Sequence, residues 1–163
     1  MGITEGFSFR PFPWLDNSNQ VSVYHTDARS SILFVENING YGMYLSTHNT
    51  VYLNSAKTFA AFMNFWYQFP EVDHIGRADA CSKLDFGFTA KALKDKMDIS
   101  LNLNDAFQSS ASAVSSTVNG IRTKFSNFQI NRYVQLSISY RFGQESGAGK
   151  RDTGNEEERG RVQ

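Results

Sequence analysis

Cysteine, histidine, proline and net charge are all scarce in this chain, and each scarcity removes a class of explanation. Cys81 is the single cysteine among 163 residues, so no intrachain disulfide can staple the fold. It has no CxxC partner and reads as a small spectator residue. The three histidines, His25, His48 and His74, fall in separate segments without ligand spacing, which argues against a zinc site. Sixteen Lys and Arg balance sixteen Asp and Glu. That balance gives no general pull toward nucleic acid, which is not expected as a partner. With no GxSxG, P-loop or dinucleotide fingerprint, neither an enzyme nor a cofactor is expected.

Long apolar runs are also missing. Nothing approaches the roughly 18 consecutive apolar residues of a membrane-spanning helix, whereas a spanning strand needs only about 9–11 alternating ones. The start of the chain, Met1 to Phe7, lacks the basic and apolar stretches of a secretion signal. The expectation is therefore a soluble protein or the back part of a longer one.

What the chain does have is aromatic residues, 14% of the total, and alternation. In residues 132–142, Val134, Leu136, Ile138, Tyr140 and Phe142 occupy one face of a strand, and Tyr133, Gln135, Ser137, Ser139 and Arg141 occupy the other. Period-two patterns also run through residues 20–25, 41–53, 58–69, 83–93 and 97–104, with a further hairpin arm at 31–35. Pro11, Pro13 and the turn-forming run Asp16 to Asn19 make residues 1–19 read as a loop or broken strand. Residues 71–80 read as a polar loop. The Ser/Ala-rich residues 108–119 read as a flexible one, and 121–130 as an extended lead into the last strand. Residues 144–163 are poor in apolar side chains and are expected to be disordered.

The expected fold is thus all-β: an antiparallel up-and-down meander over residues 20–143. A soluble sandwich shares this alternation, packing one face on a core, and could bind carbohydrate through Trp66 and tyrosines. Three features favour a membrane barrel wall. The apolar faces of 84–92, 97–103 and 134–142 carry no charge, where charge would cost about 2–4 kcal/mol at a bilayer midplane. Aromatics gather near strand ends, as in interfacial girdles. Short breaks at 54–57 and 94–96 alternate with long ones at 26–40, 69–82 and 108–131.

On that reading Leu84, Phe86, Phe88, Met97, Ile99, Leu101, Leu103, Val134, Leu136 and Ile138 face lipid. Lys83, Asp85, Lys91, Asp98, Ser100, Asn102 and Arg141 face the lumen, where the charged groups serve mainly to pair across strands. The long breaks supply the candidate substrate contacts.

Several motifs carry a family resemblance. The run Leu84-Asp85-Phe86-Gly87-Phe88, the turn Lys94-Asp95-Lys96 and the strand ending Asn104-Asp105-Ala106-Phe107 resemble the penultimate strands of Bacteroidetes TonB-dependent receptor-like outer-membrane barrels. Tyr140-Arg141-Phe142-Gly143 resembles their closing strand, and Lys150 to Arg159 the charged extension after it. The likeness is best over residues 80–160. It implies the C-terminal segment of a transmembrane β-barrel in the cell outer membrane, with about six membrane-length strands here and a periplasmic tail. It further implies an assembly signal at Gln135, Ser137, Tyr140 and Phe142, with serine where glycine is usual, read by the barrel-assembly machinery. The remaining implied partners are outer-membrane lipid, the rest of the barrel with its plug, and a small-molecule or oligosaccharide nutrient.

Overall fold

The computed structural model describes residues 1–29, 37–73, 76–127 and 130–142. Seven strands form one antiparallel sheet: β1 (Gly2–Phe12), β2 (Leu15–Ala28), β3 (Ile38–Tyr52), β4 (Phe59–Gln68), β7 (Cys81–Ala92), β8 (Met97–Asn104) and β11 (Tyr133–Tyr140), paired in that order. Four short strands form a second sheet: β5 (Glu71–Asp73), β6 (Gly76–Ala78), β9 (Ala113–Val118) and β10 (Ile121–Ser126).

The first sheet is a meander, each strand turning back beside its predecessor. Its direct turns, at 13–14, 53–58 and 93–96, all fall at one end. The connections at the other end, 29–37, 69–80 and 105–132, are longer, and the last two contain the second sheet. At the direct turn 93–96, Leu93, Lys94 and Asp95 all take positive φ, which makes a tight reversal. Seven strands with alternating direction leave β1 and β11, the two edges, running the same way.

The N-terminal expectation is corrected. Residues 2–12 and 15–19, read from the sequence as loop or broken strand, belong to β1 and β2 and pair from Gly2↔Tyr24 to Phe12↔Leu15. Pro11 and Pro13 do not abolish the strand because they sit at its end. The ladder shifts register between Phe9 and Phe12, and the chain then turns at Pro13-Trp14. The large sheet consequently holds seven strands, of 8 to 15 residues, where about six were expected.

Two further loops are corrected. Residues 71–73 and 76–78 pair with each other. Residues 113–118 pair with 121–126 around Asn119-Gly120, both with positive φ. This Asn-Gly turn between valine and isoleucine folds 121–126 back on its own hairpin, so it does not lead directly into the closing strand. Residues 31–35, His74 and the tail 144–163 lie outside the described residues.

Among the described residues, only Ala60 and Val72 are buried apolar side chains. Val134, Leu136 and Ile138 are 67%, 62% and 63% exposed. A soluble sandwich hides such residues between two layers, and this sheet has no second layer over its apolar face.

Candidate functional site

Register sorts the side chains of the large sheet into two faces. One carries rows such as Phe86–Leu103–Val134, Phe88–Leu101–Leu136 and Ala90–Ile99–Ile138 across β7, β8 and β11. Met97 continues the face beside Tyr140, and Leu84 lies opposite Phe65. The other face carries Gly87–Asn102–Gln135, Thr89–Ser100–Ser137 and Lys91–Asp98–Ser139. Lys83 and Asp85 extend this polar face toward Trp66 and Asn64 on β4. All seven residues assigned to the lumen from sequence, Arg141 included, therefore share one face, and the ten assigned to lipid share the opposite one.

The polar wall is lined mainly by uncharged hydrogen-bonding groups. A hollow of about 560 Å³ near the direct turns is lined by Thr50, Thr58, Thr89, Ser100, Ser137 and Ser139, with Tyr52, Lys57, Lys91 and Asp98 around it. Higher on the wall, Tyr44 and Trp66 place their rings 6.2 Å apart, and His48 Nδ1 lies 3.2 Å from Asn64 Oδ1. Asn102 Oδ1 and Asn104 Nδ2 are buried without a protein partner, so polar binding capacity remains in the wall.

Charged groups form local pairs. Arg141 donates to Asp98 at 2.7 Å across the β8–β11 pair, and Lys83 donates to Asp85 at 2.8 Å along β7. Arg141 Nη1 also donates to the Asp95 carbonyl at 3.3 Å. Asp98 is thus held by an arginine from the end of the neighbouring strand.

Two ties fasten the wall where the long connections leave it. Asp105, fully buried, accepts from the backbone N–H of Ser109 at 3.0 Å and from Ser110 Oγ at 2.5 Å, while its own N–H donates to Asp85 at 2.8 Å. Burial alone would raise the Asp105 carboxyl, but the serine hydrogen bonds outweigh it and hold the group below its ordinary value. At the second tie, Tyr24 donates to Glu71, and Gln68 Nε2 donates to both, at 2.8 Å to Tyr24 and 3.1 Å to Glu71. Burial pushes the Glu71 carboxyl up, and Asp73 adds to that. Glycine is required beneath this tie: a Cβ on Gly42 would stand 2.4 Å from the Tyr24 ring. The Asn-Asp pair of residues 104–105 was visible in the sequence, but nothing local could reveal that serines four and five residues on would close over it.

Of the residues singled out as an assembly signal, Gln135 and Ser137 lie on the polar face. Tyr140 lies on the apolar face, and its ring meets that of Phe142 edge-on with centroids 4.6 Å apart. The Arg141 N–H donates to the Lys96 carbonyl, carrying pairing one step beyond β11.

Midway along β2 and β3 the apolar face carries four polar residues, and His25, Asp27 and Asn39 lie on the same face toward the long connections. Asn17 and Asn19 lie beside Asn49 and Thr47, flanked by Phe9 and Phe7 on β1 and by Met63 and Phe65 on β4. The signal was present as polar residues in apolar-phase positions, but residues 17–19 fell in the supposed N-terminal loop, so their pairing with 47–49 in the strand 41–53 stayed hidden.

No group of three or more His, Cys, Asp or Glu poised to hold a metal occurs among the described residues. No helix there is long and apolar enough to cross a membrane. Compared with known proteins, residues 1–140 match a family described as outer membrane protein beta-barrel. No curated protein and no solved structure matches the chain.

Proposed function

We infer function from the premise that the chain belongs to this outer membrane protein beta-barrel family, whose match spans most of its length. Its place is therefore the outer membrane. We propose that the large sheet is a segment of barrel wall of the TonB-dependent receptor type, with its polar face lining a lumen through which a small nutrient passes. The observation that carries this is the two-faced register. An uncovered apolar face of membrane height backs a wall of hydroxyls, amides and paired charges, and the apolar half from β7 to β11 carries no charge.

Parity supports a larger barrel. β1 and β11 run in the same direction, so they cannot pair antiparallel with each other. Closure in that style needs an odd number of further strands, since an open edge in lipid leaves backbone groups without partners. The rest of the barrel, a plug, the assembly machinery reading Tyr140 and Phe142, and a periplasmic tail at 144–163 complete the proposal. The direct turns then face the periplasm, and the second sheet sits at the outer mouth, where solute first arrives.

The test is a pair of substitutions on opposite faces. Leu101→Arg or Ile138→Arg each should cost about 2–4 kcal/mol in the bilayer and abolish outer-membrane assembly, while Ser100→Arg should assemble. Equal tolerance on both faces, measured as folded protein in outer-membrane fractions, removes the proposal.

A further inference from the structure

The four polar residues midway along the apolar face of β2 and β3 form a connected cluster. Asn17 Nδ2 donates to Asn49 Oδ1 at 2.6 Å and to Thr47 Oγ1 at 3.4 Å. Asn49 Nδ2 donates to Thr47 Oγ1 at 3.0 Å, and Asn19 Nδ2 donates to Asn17 Oδ1. All four are part-exposed, and Asn19 and Asn49 each keep a second amide hydrogen that finds no partner within the cluster.

Their height on the wall is what makes them informative. By register, Asn49 lies opposite Met63 and Thr47 opposite Phe65, and these two stand at the middle of the outward row of β4 from Phe59 to Tyr67. Leu15 and Val51 flank the cluster toward the direct turns, and Val21 and Leu45 flank it on the other side. The cluster is therefore neither at a headgroup boundary nor part of an aromatic girdle. Lipid tails offer nothing to the remaining amide hydrogens, and water does not reach that depth. An edge-strand carboxylate, Glu5, lies on the same face beside Val21, a second departure from a purely lipid-facing surface in this half of the sheet.

The chemistry also restricts what can cover it. Carboxamides and hydroxyls donate and accept at once, so a patch of three asparagines and a threonine is complementary to itself. Phe7 and Phe9, 54% and 50% exposed, and Met63, 43% exposed, supply an apolar rim around that polar centre. A self-complementary patch is what a two-fold interface uses, because each partner presents the same groups to the other. We propose that Asn17, Asn19, Thr47 and Asn49 form the centre of an in-membrane interface between two copies of this barrel, amide against amide. This rests on the outward face being the lipid face.

The experiment uses the full protein in its own outer membrane, with Cys81→Ser as background. Asn19→Cys and Asn49→Cys should each give, with a short bis-maleimide, a product of doubled mass containing only this protein. Leu136→Cys, on the same face but four strands from the patch, should not. Asn17→Val combined with Asn49→Val should lower the dimer fraction in mild detergent at least tenfold while the barrel still assembles. No cross-link at either position, a product containing a different protein, or an unchanged dimer fraction each overturns the proposal. The underlying reading fails separately. If a water-soluble maleimide labels Phe86→Cys as readily as Ser100→Cys in intact cells, the outward face is not in lipid and the interface falls with it.

Discussion

The two halves of the wall solve the same problem differently. From β7 to β11, every outward position between Leu84 and Ile138 is apolar or small, and the polar set is confined to the inner face. From β1 to β3, the outward face mixes phenylalanines and valines with an amide cluster and Glu5. The ties at the outer end also differ. The C-terminal half closes around Asp105, a carboxylate stabilised by serine donors. The N-terminal half closes around Glu71, a carboxyl raised by burial. On the proposed lipid-facing reading, a uniform face is what lipid alone requires, and an interrupted one signals a second demand on the surface.

The largest expected effect breaks the C-terminal tie. Asp105→Ala leaves the part-buried donors of Ser109 and Ser110 unanswered, which should cost about 3 kcal/mol in urea unfolding of the detergent-folded barrel. Retention of wild-type stability would mean that the tie is ornamental. The two acids should also respond oppositely to pH. Asp105 has a folded value below its ordinary 3.8, so its contribution is complete above that value and disappears as pH falls through the lower, folded one. Glu71 has a folded value above its ordinary 4.5, so the folded state binds its proton more readily and gains stability as pH falls through that raised value. Acidification from neutrality should first firm the Glu71 tie and only later loosen the Asp105 one, as read by amide hydrogen exchange. Glu71→Gln should flatten the first response, and Asp105→Asn the second.

Exchanging polarity between the halves comes next. Leu101→Asn places an unpartnered amide on the uniform face and should lower stability by about 2 kcal/mol. The reverse exchange, Asn49→Leu, should move the barrel's own unfolding by less than about 1 kcal/mol, because the amide it removes is only part-exposed and already shares its partners. Similar losses at both positions would erase the contrast between the halves. The smallest effect is at Arg141. Its pair with Asp98 is largely exposed, with side chains 65% and 37% accessible, so Arg141→Ala should cost under about 1 kcal/mol. A larger loss would show that the backbone contact to Asp95 matters more than the ion pair.

The contrast also governs what the sequence could reveal. Strict alternation made β7, β8 and β11 readable almost residue by residue, because an apolar face backed by a polar one leaves a period of two. β1 was hidden because prolines at its end and polar residues in its partner looked like a break. Pairing with β2 keeps it in place, a long-range cause with no local signature. In β9 and β10 the Ser/Ala composition masked an Asn-Gly turn that was legible in itself. The Tyr24–Gln68–Glu71 tie joins side chains up to 47 residues apart, a separation that local pattern does not encode. Gly42, beneath it, carried no sign of its role.

The second sheet joins two otherwise independent connections. β6, from the segment after β4, pairs with β9, from the segment after β8, at Arg77↔Ser115 and Ala78↔Val114. Lys124 reinforces the seam by donating to Asp79 at 2.8 Å. The entropy of bringing these segments together is spent once, during folding, and not again at each encounter with a ligand. The rim formed by these two connections is therefore assembled before anything meets it, and pulling on one segment is mechanically equivalent to pulling on both.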